Sequence, residues 1–446
     1  MKKFFYFLFS VLLIFGCKKD EIEPANSVSN YSADFLREWF KLECQLVKAT
    51  PGFLPPQASR AFGYVSISAY EAAYSGIEGA KPLAGQINQL SVAAMPTPLS
   101  PESYHWGIVV NAAVADMTRL MFEKKISPEN LQKVNDLEAQ YLAEFTTSTT
   151  QAIVDESVKH GKAVSQMIYQ YSLNDGGHES YLNPFSKPFT PVTGEDKWVP
   201  TDSKNLTPLS PYWDQTRPMI PSNLSFDPIK PLNFSTDTQS DFYKEAMNVY
   251  TQVTGNTADQ VEIAKFWADD PFVTCTPTGH TFNILTQLLE ETNATLEKAV
   301  AAYAMLGIGE NDAFIACWEA KFDYSLIRPV SYIQKYIDTS FTTVIGTPPF
   351  PAYTSGHATE IGVGERIFTK LFTNGDGKYN LTDRSQIQHG YAPRTYSNFA
   401  DMSMECANSR LYGGIHYQMD NTNGLLMGRS IGNNVLTAIE WPANLN

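Results

Sequence analysis

The sequence predicts an all-α fold, and three observations carry that expectation. Apolar residues recur at helical spacing through most of the chain, no stretch of any length alternates apolar and polar residues at the strand period, and no repeat of fixed length is visible. The 446 residues, 43% hydrophobic and 18% charged, are enough to bury a large core and exclude a disordered chain. Acidic residues number 47 against 33 Lys plus Arg, a formal charge of -14. That balance argues against nucleic-acid partners and against a general anionic-membrane surface, so an anionic ligand needs a locally basic pocket.

The N-terminus reads Lys2 and Lys3, an apolar run from Phe4 to Phe15 broken by Ser10, then Gly16 and Cys17. The run is too short for a comfortable membrane span and has the layout of a secretory signal over residues 1–16. A small residue followed by Cys17 resembles the lipobox of bacterial lipoproteins. That resemblance implies lipid on Cys17, a tether over residues 17–30 and residence as a periplasmic or cell-surface lipoprotein of an outer membrane. Cys44, Cys275, Cys317 and Cys406 are widely spaced and show no CxxC pair; buried free thiols are expected rather than a metal cluster.

The body, residues 31–446, divides into a helical part over 31–172, a Pro-rich crossover over 173–235 and a second helical part over 236–446. Phe35, Trp39, Leu42 and Leu46 share one face of a first helix ending near Lys48, where Pro51, Gly52, Pro55 and Pro56 follow. Further helices are expected at about 57–75, 104–122, from the Ser127-Pro128 start signal, and at 150–171. Ten prolines interleaved with aromatics then break the pattern between Pro184 and Pro231, in a crossover or a cover over a site. Helices resume near Ser240, a Thr257/Gln260 capping box precedes another, and more are expected at about 278–291, 294–320, 355–372, 398–411 and 421–439.

Three segments in the last third concentrate side chains suited to gripping an oxyanion. Lys321 and Arg328 stand seven residues apart, followed by Pro329; Ser355, Gly356 and His357 open a helix; Ser409 and Arg410 precede His416, with Asp420 four residues further on. Together they offer three cations, two imidazoles, a hydroxyl and a glycine N–H, arranged at helix ends where an anion is favoured. Asp420, one helical turn beyond His416, would accept the imidazole's other N–H.

The order K-x6-R-P, then S-G-H, then S-R-x5-H resembles the shared signature of the vanadium-dependent haloperoxidases, the class A non-specific acid phosphatases and the type 2 phosphatidic acid phosphatases, with Thr354 where many members have Pro. Trp318 and Phe350 match aromatics that line the haloperoxidase halide pocket, and Phe266 to Asp270 resembles a haloperoxidase stretch whose final Asp pairs with the arginine matched here by Arg410. The chain thus resembles bacterial haloperoxidases most, the iodide-oxidising ones included.

The resemblance implies two four-helix bundles with the site in the second. It implies vanadate as cofactor, its oxygens held by Lys321, Arg328, Ser355, Gly356 and Arg410, with His416 as axial vanadium ligand, His357 as acid-base group and Lys321 polarising bound peroxide. Asp270 and Asp420 would support Arg410 and His416. Hydrogen peroxide, a halide (iodide or bromide ahead of chloride) and a small organic acceptor would be the partners. Because peroxide and halide are small, no deep substrate cleft is needed, and the acceptor would react outside the pocket. A phosphatase using His416 to form a phosphohistidine is the alternative on the same scaffold, and a non-catalytic glycan-binding lipoprotein is the alternative from another class. Trp318, Phe350 and Asp270 also suit plain core or capping roles, and His105, His160, His178, His280 and His389 read as core or surface residues.

Overall fold

Thirteen α-helices and one small hairpin make up the regular structure among the described residues of the chain, a computed structural model that describes residues 26–185, 188–202, 206–225, 230–375, 377–443 and 445. The signal segment 1–16, Cys17 and the tether up to residue 25 lie outside the described residues.

Helix α1 (Asp34–Ala49) buries Phe35, Trp39, Leu42 and Leu46, the face its spacing predicts. Helices α2 (Pro55–Ala73), α3 (Trp106–Phe122), α4 (Pro128–Thr146) and α5 (Gln151–Ser172) complete the first helical part. Proline at N1 and Ser127, whose Oγ accepts from the Asn130 N–H at 3.2 Å, start α4 as expected. In the second part come α6 (Asp241–Gly255), α7 (Ala258–Phe266), α8 (Thr276–Glu291), α9 (Leu296–Tyr324), α10 (Pro329–Tyr336), α11 (Gly356–Phe372), α12 (Phe399–Tyr412) and α13 (Gln418–Ala438). The Thr257/Gln260 capping box is formed at the start of α7.

Helix α9 is buried along almost all its length, on every face, which places it at the centre. It packs on α2 from the first part and on α11 and α13 from the second, so one continuous apolar core spans both parts. Helices α11 and α13, which position much of the site, cross closely: a Cβ on Gly428 would stand 1.9 Å from the Thr359 carbonyl oxygen. Only glycine permits that approach.

Two local features depart from expectation. Residues Lys378–Asp383 (β1) and Arg394–Asn398 (β2) form an antiparallel hairpin, where no strand was expected. Each is too short to show a period, and β1 changes register between Lys378 and Leu381. No helix was expected between about 320 and 355, yet after α9 ends at its C-cap Ser325, in the left-handed region (φ 47°), Pro329 opens α10 at N1. The Pro-rich crossover is tied down at the site end of the second part: Trp198 N–H donates to Ser325 O (2.7 Å) and Leu209 N–H to Pro349 O (3.0 Å). The four cysteines are free and buried.

Candidate active site

The three motifs converge because each sits where a helix begins or ends. Lys321 lies on the last turn of α9, Arg328 is the N-cap of α10, Ser355 caps α11, Arg410 lies on the last turn of α12, and His416 precedes Tyr417, the N-cap of α13. The Gly413–Gly414 turn, with Gly414 at φ 79°, swings the chain from α12 back into α13.

His416 is oriented from behind. Its Nδ1 donates to Asp420 Oδ2 at 2.9 Å, and the same carboxylate oxygen accepts from the Tyr417 N–H at 3.1 Å as the capping residue of α13. That bond leaves Nε2 as the unprotonated nitrogen, and Arg328 Nη1 donates to it at 3.2 Å. Burial, then the charges of Arg328, Lys321 and Arg410, hold the His416 pKa well below the usual imidazole value. Asp420 is pushed up to about 7 by burial, against the opposing pull of Lys321 and Arg328.

The cations are buried, and their bonds go to neutral carbonyls. Arg328 donates from Nε to Phe350 O and from Nη1 to Ile415 O, each at 2.8 Å, while its Nη2 has no partner among the described residues. Arg410 donates from Nη1 to Trp267 O at 2.6 Å, and its Nε likewise has none. Lys321 differs from expectation. Its Nζ donates to Pro351 O (3.1 Å), Ala352 O (3.1 Å) and Thr354 O (2.5 Å), which uses all three ammonium hydrogens on the loop before Ser355. The expected direct grip of Lys321 on an oxyanion is thus not made by this arrangement; Lys321 stands behind the loop as a buried charge. Burial lowers its pKa to about 8.

At the start of α11, the Ser355 N–H donates to Asp420 O (3.1 Å), joining this helix to the segment carrying His416. A Cβ on Gly356 would meet nothing within 4 Å, so the backbone there faces open space. His357, one residue on, has a buried Nε2 with no hydrogen-bond partner among the described residues, 3.8 Å from Asp269 Oδ2. Burial, then Arg410, His280 and Lys321, hold its pKa well below the usual value.

Asp270, expected to pair with Arg410, makes no ion pair with it among the described residues; it acts through space, its raised carboxyl pKa set by burial and opposed by the Arg410 charge. Its neighbour Asp269, in the left-handed region at φ 50°, is the carboxylate nearest His357. Asp269 belongs to a cluster the sequence did not disclose. His280 lies between Asp269 Oδ2 and Asp383 Oδ2, 2.9 Å from each, with Gln386 donating to Asp269 Oδ1 at 2.8 Å. Burial disfavours a charged His280, yet the two carboxylates raise its pKa well above the usual value, so it is an imidazolium donating from both nitrogens. The only sequence signal was the Asp269-Asp270 pair, because His280 and Asp383 are 103 residues apart.

Trp318, Phe350, Gly356, His357, Arg410, His416 and Asp270 line one cavity of about 420 Å³. Lys321, Arg328, Ser355 and Asp420 are buried next to these segments. The ring centroids of Trp318 and Phe350 are 5.0 Å apart, and Lys321 Nζ lies 5.0 Å from the Phe350 centroid and 5.9 Å from that of Trp318.

A family model described as the VCPO second helical-bundle domain matches residues 301–343 and 336–443. The crystal structure of the first bacterial vanadium-dependent iodoperoxidase superposes with a TM-score of 0.83 at 27% identity, over 93% of this chain and 98% of that one. The last third of the chain thus matches a haloperoxidase helical-bundle domain, and the chain as a whole is similar in fold to a vanadium-dependent iodoperoxidase. A holo-type bacterial vanadium-dependent chloroperoxidase shares the haloperoxidase fold, at a TM-score of 0.62 and 12% identity over 94% of this chain and 96% of that one. No curated protein matches this chain significantly in sequence.

Proposed function

We propose that the chain is a vanadate-dependent haloperoxidase that oxidises iodide or bromide with hydrogen peroxide. One observation carries the reading: partnerless buried donors, Arg328 Nη2 and Arg410 Nε, converge with the unprotonated Nε2 of His416 beside the open backbone of Gly356. Cationic donors without a protein partner beside one unprotonated imidazole nitrogen fit a tetrahedral or bipyramidal oxyanion, which would complete their hydrogen bonds. Vanadate, when bound, supplies a Lewis acid that activates peroxide toward a halide without changing oxidation state.

The protein's part is positional and electrostatic. Arg328, Arg410, the Gly356 N–H and the Ser355 hydroxyl would hold the oxyanion, together with His416, whose ring Asp420 orients. His357, neutral because its pKa is depressed, accepts a proton from peroxide at Nε2 and returns it later. Lys321 adds positive potential across the loop it holds. Trp318 and Phe350, both buried, strip water from a halide arriving beside those charges. Large, weakly hydrated halides lose least there, which favours iodide and bromide over chloride. Export by the 1–16 signal and lipid anchoring at Cys17 belong to the same proposal, supported by the charge and hydropathy pattern of that segment.

The test is a halide panel with peroxide on vanadate-reconstituted protein, with His416→Ala as control. Iodide or bromide oxidation that disappears in the variant is expected. Hydrolysis of phosphate esters, inhibited by vanadate and without halide oxidation, would replace this reading with a phosphohistidine phosphatase.

A further inference from the structure

Cys44 on α1 and Cys275, the N-cap residue of α8, come from the two helical parts and meet at one amide. Cys44 Sγ donates to Asn283 Oδ1 at 3.4 Å and to Gly279 O at 3.6 Å, while Asn283 Nδ2 donates to Cys275 Sγ at 3.5 Å. Both sulfurs crowd the bare face of Gly279: a Cβ there would stand 2.5 Å from Cys275 Sγ and 3.5 Å from Cys44 Sγ. The thiols also act on each other directly, and burial first, then Cys275, raise the Cys44 pKa well above the usual thiol value. Cys317 and Cys406 differ. Their Sγ atoms donate to the Thr354 and His357 carbonyls, and no hydrogen bond joins either to another thiol among the described residues. Asn283 also lines a surface groove of about 350 Å³ with Lys41, Gln287 and Arg384, which gives a small polar oxidant a way to the paired sulfurs.

We infer that Cys44 and Cys275 are a peroxide-oxidisable pair that closes to a disulfide, stapling α1 of the first helical part to the start of α8 in the second. The inference is independent of the haloperoxidase reading, because hydrogen peroxide itself is the oxidant. Cys275 attacks first. Its Sγ accepts from Asn283, and it caps a 16-residue helix, where negative charge on sulfur is favoured, whereas Cys44 is held as a thiol. The Cys275 sulfur takes one peroxide oxygen, the O–O bond breaks, and the leaving hydroxide and the Cys275 proton form water. Cys44 Sγ then attacks the resulting sulfenic sulfur; the S–S bond forms, the S–O bond breaks, and the hydroxyl leaves with the Cys44 proton as a second water. Two thiols thus lose two electrons, and peroxide gains them. The loop so closed holds about half the chain, and long loops are where a cross-link removes most freedom from the unfolded state.

The test treats the reduced full chain, free of vanadate, with hydrogen peroxide, alkylates remaining thiols with N-ethylmaleimide in denaturant, and maps peptides by mass spectrometry without reduction. The expected result is one linked pair of peptides carrying Cys44 and Cys275, two hydrogens lighter than the separate peptides and parted by dithiothreitol, with Cys317 and Cys406 alkylated. The oxidised protein is expected to melt about 3 °C or more above the reduced form, reversibly on reduction. In Cys44→Ser the link is absent and dimedone labels Cys275, whose sulfenic acid has lost its resolving thiol. In Cys275→Ser, Cys44 is expected to stay a thiol. The parent's peptide map and melting shift decide by themselves should either variant fail to fold. Alkylation of both thiols after peroxide, a link that forms only once denaturant is added, or a linked protein that melts no higher than the reduced one overturns the inference.

Discussion

His280→Gln is the sharpest perturbation of the cluster beside the site. The native imidazolium makes two charge-assisted bonds of 2.9 Å, to Asp269 and Asp383, all three side chains 0–1% exposed. Glutamine keeps the approximate volume but donates toward one side and carries no charge, so at least one carboxylate is left buried and uncompensated. Breaking a buried pair in this way costs about 3–5 kcal/mol. The dependence on pH has a definite sign. The His280 pKa is raised on folding, so its stabilisation is complete below the unfolded value of about 6.5 and is lost only as pH rises through the higher folded value. The Asp383 pKa is lowered, despite burial, by His280, so its share is present above about 3.9 and is lost as pH falls through the folded value. Denaturant unfolding of parent and variant at several pH values measures the difference, and Trp267, stacked on His280 at 4.4 Å, is a local fluorescence reporter. A difference under about 1 kcal/mol at pH 6, or one that grows between pH 6 and 9, refutes a buried imidazolium held by two carboxylates.

Asp420→Asn exchanges the acceptor that fixes the His416 tautomer, and vanadate affinity measured by equilibrium dialysis is expected to fall about 10–100-fold with the far-UV spectrum unchanged. Gly428→Ala drives a Cβ into the Thr359 carbonyl; a loss of about 1–3 kcal/mol in denaturant unfolding is expected, and retention of full stability would mean that α11 and α13 separate freely. If the Arg328 and Arg410 donors bind an oxyanion, vanadate at a hundred times its dissociation constant is expected to stabilise the fold by about 2.7 kcal/mol. His416→Ala should remove most of that gain in a thermal-shift titration.

The helical architecture was legible because its signals are local. Start signals such as Ser127-Pro128 and Thr257/Gln260, and the Phe35/Trp39/Leu42/Leu46 face, depend on residues within one or two turns, and each is realised. Helix α10 and the hairpin escaped because eight- and five- or six-residue elements carry too few periods to stand out. At the site, motif spacing disclosed which residues gather, since helix termini bring Arg328, Ser355 and His416 to one place. Donor bookkeeping was not legible. That Lys321 spends its hydrogens on Pro351, Ala352 and Thr354 depends on how the loop before α11 curls back, and that Asp269 rather than Asp270 faces His357 depends on a single left-handed residue. His280 and Asp383 meet only through the packing of the hairpin on α8's N-terminal end.

The bonding of the cations explains how a chain with a formal charge of -14 can hold an anion. A carboxylate beside each cation would satisfy its donors and cancel its field together. Carbonyls do only the first: Lys321 is held by three, Arg328 by two and Arg410 by one. Their partial charges meet most of the hydrogen-bonding need of the buried groups while leaving the net positive charge intact. Asp420, the carboxylate bonded to the site's imidazole, spends its Oδ2 on His416 and the Tyr417 N–H, aiming a ligand rather than neutralising an arginine. Surface acidity reaches the site weakly, because exposed charges are screened over about 8 Å at physiological salt whereas buried ones are not. Locally the cavity floor is therefore positive and short of acceptors, and an oxyanion supplies both the charge and the lone pairs that the carbonyls leave wanting.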